Sequence, residues 1–332
     1  MTAMTHDLTR ERLTAGLGFA MVSAASFGLS GSLARGLLDV GWSAGAATLV
    51  RVAIAAAVLL VPAIIAVRGR GHLVRRGWKV IVAYGLFAVA GAQLCYFLAV
   101  GYLDVSVALL IEYTAPVAVV LWMWLRHGHR PTPLTVGGAA IAAFGLALLL
   151  NVFGGGQISI VGVLWALAAM VGASVYFIIG GDESNGLPPI TLAAGGLLVA
   201  LVALGAAGVT GVLPMRFSTG TVSFVQFDAP WWSIAIALGV ITAAVAYVTG
   251  IAATRRLGAR LGSFVALTEV MAATAFAWLL LGQAPAPIQA GGALLILAGV
   301  IVVKLGERPA ATVAESIVEE PALTDPPAPV PV

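Results

Sequence analysis

Long apolar runs separated by short polar gaps fill the chain from Gly16 to Lys304. Runs of about twenty apolar residues, the length a helix needs to cross ~30 Å of hydrocarbon, begin near Gly16, Ala44, Trp78, Ser106, Pro133, Ser159, Ile190, Trp231, Leu261 and Pro287. Each closes at glycine, proline or charge. Lipid offers backbone amides no hydrogen-bond partner, so each run is expected to be a helix and the chain an all-α integral membrane protein with ten transmembrane helices. The shortest gap, Gly101 to Val105, divides the third run from the fourth. The first run follows Arg10 and Arg12 and carries small residues, Ala24 and Ala25, that would suit a signal peptidase. It is nevertheless near the ~20 residues of a span and is followed by more spans, so it is read as one.

Composition agrees with this pattern. The 332 residues are 61% hydrophobic and 9% charged, with a mean hydropathy of +1.05, whereas soluble domains carry about a quarter charged residues. The formal net charge of +3 is small and its basic residues are scattered among short loops, which argues against nucleic acid as a partner and leaves membrane lipid. Cys95 is the only cysteine, so this chain alone builds neither an intrachain disulfide nor a thiolate metal site. His6, His72, His127 and His129 all fall at the terminus or in loops, so no buried histidine and carboxylate pair offers metal binding or catalysis. No Walker-type phosphate loop occurs, and no cofactor is expected.

Positive charge sorts the gaps into two sets. Arg10 and Arg12 precede run one; Arg68, Arg70, Arg75, Arg76 and Lys79 follow run two; Arg126 and Arg130 follow run four; Arg255, Arg256 and Arg260 follow run eight; Lys304 and Arg308 follow run ten. The alternate gaps hold little beyond Arg35, Asp39, Asp104, Arg216 and Asp228. Short cytoplasmic loops retain Lys and Arg, so a multi-pass plasma-membrane protein with both termini cytoplasmic is expected. The last segment, residues 305–332, is rich in proline and acid without apolar periodicity and reads as a disordered cytoplasmic extension.

The chain also repeats itself. A shift of about 154 positions lays runs four and five on runs nine and ten without a gap, matching Thr114 with Thr268, Trp124 with Trp278, Gly128 with Gly282, Pro131 with Pro285, Pro133 with Pro287, Gly138 with Gly292 and Gly145 with Gly299. Each half then holds about five spans, an odd number, so the second enters the membrane from the opposite side. Charge agrees: the turn Arg126-His127-Gly128-His129-Arg130 corresponds to the uncharged Leu280-Leu281-Gly282-Gln283-Ala284. The expected organisation is an N-terminal segment 1–14, two inverted five-helix repeats over 15–152 and 153–304, and the tail. Inverted halves can exchange inequivalent conformations, which turns a midplane cavity from one compartment to the other.

Several short stretches carry a family likeness: Glu112-Tyr113-Thr114-Ala115-Pro116 in span four, Leu279-Leu280-Leu281-Gly282-Gln283 closing span nine, Gly291, Gly292 and Gly299 in span ten, and Arg51 in span two. On these the chain resembles the EamA family of the drug/metabolite transporter superfamily. Ser32-Leu33-Ala34-Arg35 and the run beginning at Glu112 are similar to threonine and homoserine exporters within it. The resemblance implies ten spans in two inverted units and export of a small metabolite. The family's Glu-Pro pair in span nine reads Glu269-Val270 here, which removes a helix break, and the acid after its glycine reads Gln283, which removes a charge.

Charged side chains at a helix centre cost about 2.5–3.5 kcal/mol on insertion scales, so those retained ask for a reason. Arg51 and Glu112 each lie roughly 10 Å from the same boundary at ~1.5 Å per residue, and an ion pair between them is expected. Such a pair either flanks a cavity and meets substrate or locks spans two and four together. Glu269, isolated in span nine, is either a protonation site alongside Glu112 or a protonated acid bonded to a neighbour such as Thr268. Pro116, one turn from Glu112, breaks the helix, exposing a carbonyl to substrate or bending the span. Gln93, Tyr96, Tyr113, Thr114, Tyr176 and Tyr247 complete the candidate substrate-binding set with Arg51 and Glu112, each with packing as the plainer reading. Trp231 and Trp232 read as interfacial anchors. The expected activity is secondary transport of a small polar metabolite such as an amino acid, with protons as the candidate coupling ion; a non-transporting scaffold and a membrane-embedded enzyme are the alternatives.

Overall fold

Every backbone donor inside the hydrocarbon must be satisfied within its own segment, and helices do this from end to end. In a computed structural model, which describes residues 2–115, 132–149, 159–182, 184 and 186–306, ten helices form among the described residues. They are α1 (Thr2–Asp39), α2 (Ala44–Ala66), α3 (Gly71–Val100), α4 (Val105–Glu112), α5 (Pro133–Leu149), α6 (Ile160–Gly181), α7 (Pro189–Val209), α8, α9 (Thr268–Leu281) and α10 (Pro287–Gly306). Helix α8 runs through Trp231–Gly239, a wider stretch at Val240–Val245, and Ala246–Ala266. Six helices are long and apolar enough to cross a membrane by themselves: α1 from Thr14, α2, α3, α6, α7, and α8 to Leu257. Pro116, the Arg126–Arg130 turn and the tail beyond residue 306 lie outside the described residues.

The inversion is written into glycine contacts. Helices α5 and α10 lie against each other so closely that a β-carbon on Gly138 would stand 2.7 Å from the Gly299 carbonyl oxygen, and one on Gly145 would stand 2.7 Å from that of Gly292. Position rises along α5 as it falls along α10, so the pair is antiparallel. Gly138 matches Gly292 and Gly145 matches Gly299 in the repeat, so exchanging the halves turns one contact into the other. Only a two-fold axis across the helices, lying in the membrane plane, does this. Gly137 and Gly291, also equivalent, face open space instead of a neighbouring helix. The other contacts obey the same exchange: α1 packs on α8 and α9 where α6 packs on α3 and α4, and α2 packs on α7 and α8 where α7 packs on α2 and α3.

Local irregularities repeat too. The helical turns widen to π geometry over Tyr84–Gly91 in α3 and Val240–Val245 in α8, corresponding places in the two halves. Helix α4 stops at Glu112, and a break at Leu267 precedes α9. The substitution of Val270 for a family proline therefore does not leave span nine unbroken. The matched threonines explain why: Thr114 Oγ1 donates to the Ile111 carbonyl at 2.7 Å and Thr268 Oγ1 to the Val265 carbonyl at 2.6 Å, taking over an acceptor that a continuing helix would use.

The connection between α7 and α8, expected only as a gap, forms a hairpin of β1 (Thr221–Ser223) and β2 (Asp228–Pro230), with Val222 opposite Ala229. Val222 and Phe224 are buried against Gly36 of α1. The Trp42 indole donates to the Ser218 carbonyl at 2.7 Å, the Ser43 hydroxyl to the Pro214 carbonyl at 2.6 Å, and the Val225 N–H to the Leu280 carbonyl at 2.9 Å. Trp231 stacks near Trp42 at 5.7 Å and is part of this seal rather than a free interfacial anchor, while Trp232 is exposed. Gln283 joins the halves at the same end, its Oε1 accepting the Val105 N–H at 3.2 Å. Among the described residues, the end of the bundle opposite Arg255 is thus strapped beside α1 and α2 by packed side chains and hydrogen bonds, while a wider groove of about 1450 Å³ lies on its other side between α4, α9 and α10.

Candidate functional site

Where α4 and α9 are interrupted, their acids face a shared cavity. It has about 470 Å³ of empty volume and is lined by Gln93, Glu112, Tyr113, Tyr176, Tyr247 and Glu269 together with Phe27, Phe177, Ala88, Ala92, Ala115 and Ala173. A second cavity of about 370 Å³ shares Phe27, Tyr113, Tyr176, Phe177 and Glu269 and continues along Ser23, Gly250 and Thr254 toward the Arg255 end. The space therefore leads from mid-bundle to one end and stops short of the strapped one.

The two acids differ. Tyr113 donates its hydroxyl to Glu269 Oε2 at 2.5 Å, a contact between first and second halves. Thr268, the neighbour expected to bond Glu269, bonds the Val265 carbonyl instead. Glu112 is buried and lines the cavity, and its carboxylate makes no hydrogen bond among the described residues. Isolated carboxylates are costly in so apolar a setting unless a proton or a cation meets them.

Arg51 does not pair with Glu112. It is wholly buried and donates to Ser30 Oγ at 2.9 Å, to Gln93 Oε1 and to the Thr242 carbonyl, with its guanidinium 5.4 Å from the Phe97 ring centre. Helix α2 packs on α7, α8 and α3 rather than on α4, which is why the guanidinium meets those partners. The Thr242 carbonyl belongs to the wide stretch of α8. Its counterpart in α3, the Ala88 carbonyl, accepts the Tyr247 hydroxyl at 3.4 Å. Wide turns displace the ordinary ladder, and both acceptors are met by side chains from elsewhere in the fold.

Among the residues singled out from the sequence, Gln93, Glu112, Tyr113, Tyr176, Tyr247 and Glu269 come together at the cavity. Arg51 sits behind Gln93. Tyr96 is buried beside Gly31 and Val105 and is not part of the lining, and the Thr114 hydroxyl is committed to the Ile111 carbonyl and lies 3.0 Å from Met170 Sδ. Phe27, Phe177 and the four alanines were missed, because in spans this rich in alanine and phenylalanine nothing distinguishes a lining residue from a packed one.

The EamA-like transporter family's sequence model matches residues 14–151 and again residues 160–305. The chain belongs to the EamA-like transporter family. It is accordingly a multi-pass membrane transporter with two EamA units, and the family is not one of enzymes. No curated protein matches it. Among solved structures, one crystal structure aligns with a TM-score of 0.58 at 24% identity, over 87% of this chain and 96% of its own, and at that identity the likeness speaks for the fold alone. For an EamA-like transporter, a mid-bundle cavity built by both units at their helix interruptions is where discontinuous helices concentrate polar chemistry.

Proposed function

We propose that this transporter exports a small amino acid or closely related metabolite by alternating access, exchanging it for protons at Glu112 and Glu269. The observation that carries this reading is the pairing of one carboxylate from each half, Glu112 buried and Glu269 half-buried, around a cavity that among the described residues continues toward the Arg255 end. An ammonium group and protons compete for such acids: either neutralises a charge the membrane interior penalises, so release of one favours capture of the other. Of the expected substrate set, Gln93, Glu112, Tyr113, Tyr176 and Tyr247 line the cavity and are proposed to touch solute, with Arg51, Tyr96 and Thr114 standing behind them. Repeats spanning 15–152 and 153–304 would rock about this site.

Export is taken from the family resemblance, and charge bears on orientation alone. Arg68, Arg70, Arg75, Arg76, Arg255 and Arg256 gather at the end toward which the cavity continues, which retention of basic loops assigns to the cytoplasm, with both termini there and the plasma membrane as the setting. The similarity of Ser32-Leu33-Ala34-Arg35 and of the run from Glu112 to threonine and homoserine exporters supports an amino acid. Efflux from proteoliposomes loaded with each of the common amino acids, with and without an inward proton gradient, tests the reading. Gradient-stimulated efflux of at least one is expected; no efflux of any would reject it.

A further inference from the structure

Arg51 is the most deeply buried charge in the described chain, yet it makes no contact with the cavity lining except through Gln93. A guanidinium has donors and no acceptor, so a side-chain amide bonded to it must turn its oxygen inward. Rotating the Gln93 amide would set NH₂ against NH₂ and strip a charge-assisted bond from a buried cation, whatever the solvent does. The Gln93 nitrogen is therefore directed away from Arg51. Gln93 and Tyr247 share the cavity wall, and the Tyr247 hydroxyl is itself committed to the Ala88 carbonyl at 3.4 Å, so the Gln93 N–H groups are left to the cavity. Donation runs in one sense from Arg51 through Gln93 toward the cavity. The repeat does not duplicate it: Gly239, which lies against the backbone of Arg51, corresponds to Gly85, which lies against Gly196, so the arginine's counterpart is a glycine.

Helices α3 and α8 consequently bring a fixed N–H donor to the cavity, whereas α4 and α9 bring the acceptors Glu112 and Glu269. We propose that Arg51 is a positioning residue that locks the Gln93 amide with its N–H toward the solute's carboxylate, and so makes the site prefer a zwitterion to an amine that lacks that group. This rests on the reading of the protein as an amino-acid exporter. It changes the place of Arg51 from a group that meets solute to one that orients the group that does.

The test compares each amino acid that moves in wild-type proteoliposomes with its own carboxamide, which keeps the ammonium and side chain but has no anionic carboxylate. KM and maximal rate are measured for both in wild type, Arg51→Met, Arg51→Lys and Gln93→Glu. Gln93→Glu keeps an oxygen for Arg51 and replaces the cavity donor with an acceptor. Loss of a hydrogen bond to a charged group predicts a KM for the amino acid raised about ten- to a hundredfold in Arg51→Met and Gln93→Glu, with the carboxamide's KM within about twofold of wild type. Arg51→Lys, still able to donate to Gln93, is expected to recover part of the discrimination. Equal changes for acid and carboxamide, or a fall in maximal rate alone, would overturn the proposal while leaving export intact. If Arg51→Met fails to insert, Gln93→Glu decides the matter. Absence of all amino-acid efflux in wild type would reject the export reading itself, and with it this refinement.

Discussion

Glu112 and Glu269 share a cavity but not an environment, and the difference separates their mutants. Glu269 accepts a 2.5 Å bond from Tyr113. Removing that hydroxyl in Tyr113→Phe leaves a half-buried acid without its donor, a loss of about 1.5–3 kcal/mol for a charged acceptor, so efflux should fall at least about tenfold with membrane abundance unchanged. Glu112 has no such partner to lose. Glu112→Gln should insert normally and abolish the response of efflux to a proton gradient, a fluorescence-quench assay of vesicle pH being the direct measure. The sequence made both acids conspicuous because charge inside an apolar span is costly. It could not tell which neighbour Arg51 would take, since that depends on the rotation of α2 against α3 and α8. An arithmetic of depth put Arg51 level with Glu112, but depth alone does not bring two side chains face to face.

Helix interruptions belong to a larger scale, where the repeat was partly legible. The matched Thr114 and Thr268 were visible as a pair, but their capping of Ile111 and Val265 is a matter of χ1 geometry that hydropathy does not record. Thr114→Val and Thr268→Val should each cost about 1 kcal/mol, seen as a lower midpoint of thermal aggregation in detergent, and should depress transport further than stability because the break points sit beside the acids. The α5–α10 contact makes a stronger demand. A leucine at Gly138 or Gly145 cannot fit against the facing backbone, and overpacking of about 1–3 kcal/mol should lower folded yield, whereas Gly137→Leu, facing open space, should be tolerated. The β-hairpin strap was illegible because two strands of three residues each are too short for period-two alternation to stand out.

At the scale of the whole molecule, inversion was the feature most fully readable in advance, since equivalent glycines and prolines survive where matched alanines prove nothing. Among the described residues the structure adds which end is strapped. Trp42, Ser43, Val225 and Gln283 bind the strap and the α4–α9 junction at one end, while the continuous cavities reach toward Arg255 at the other. A transporter that works by exchange between halves must undo the first set of contacts. Cysteines at Ser43 and Arg216, whose backbones are bonded at 3.0 Å, should therefore crosslink under mild oxidation in a Cys95→Ser background and stop efflux until reduced. The most direct measurement is the accessibility of Ala115→Cys, in the same background, to an impermeant thiol reagent applied to one face of oriented vesicles at a time. The account predicts reaction from the Arg255 face at rest and from the opposite face once transported solute and a proton gradient drive turnover. Reaction from a single face under every condition would contradict a cavity that changes sides.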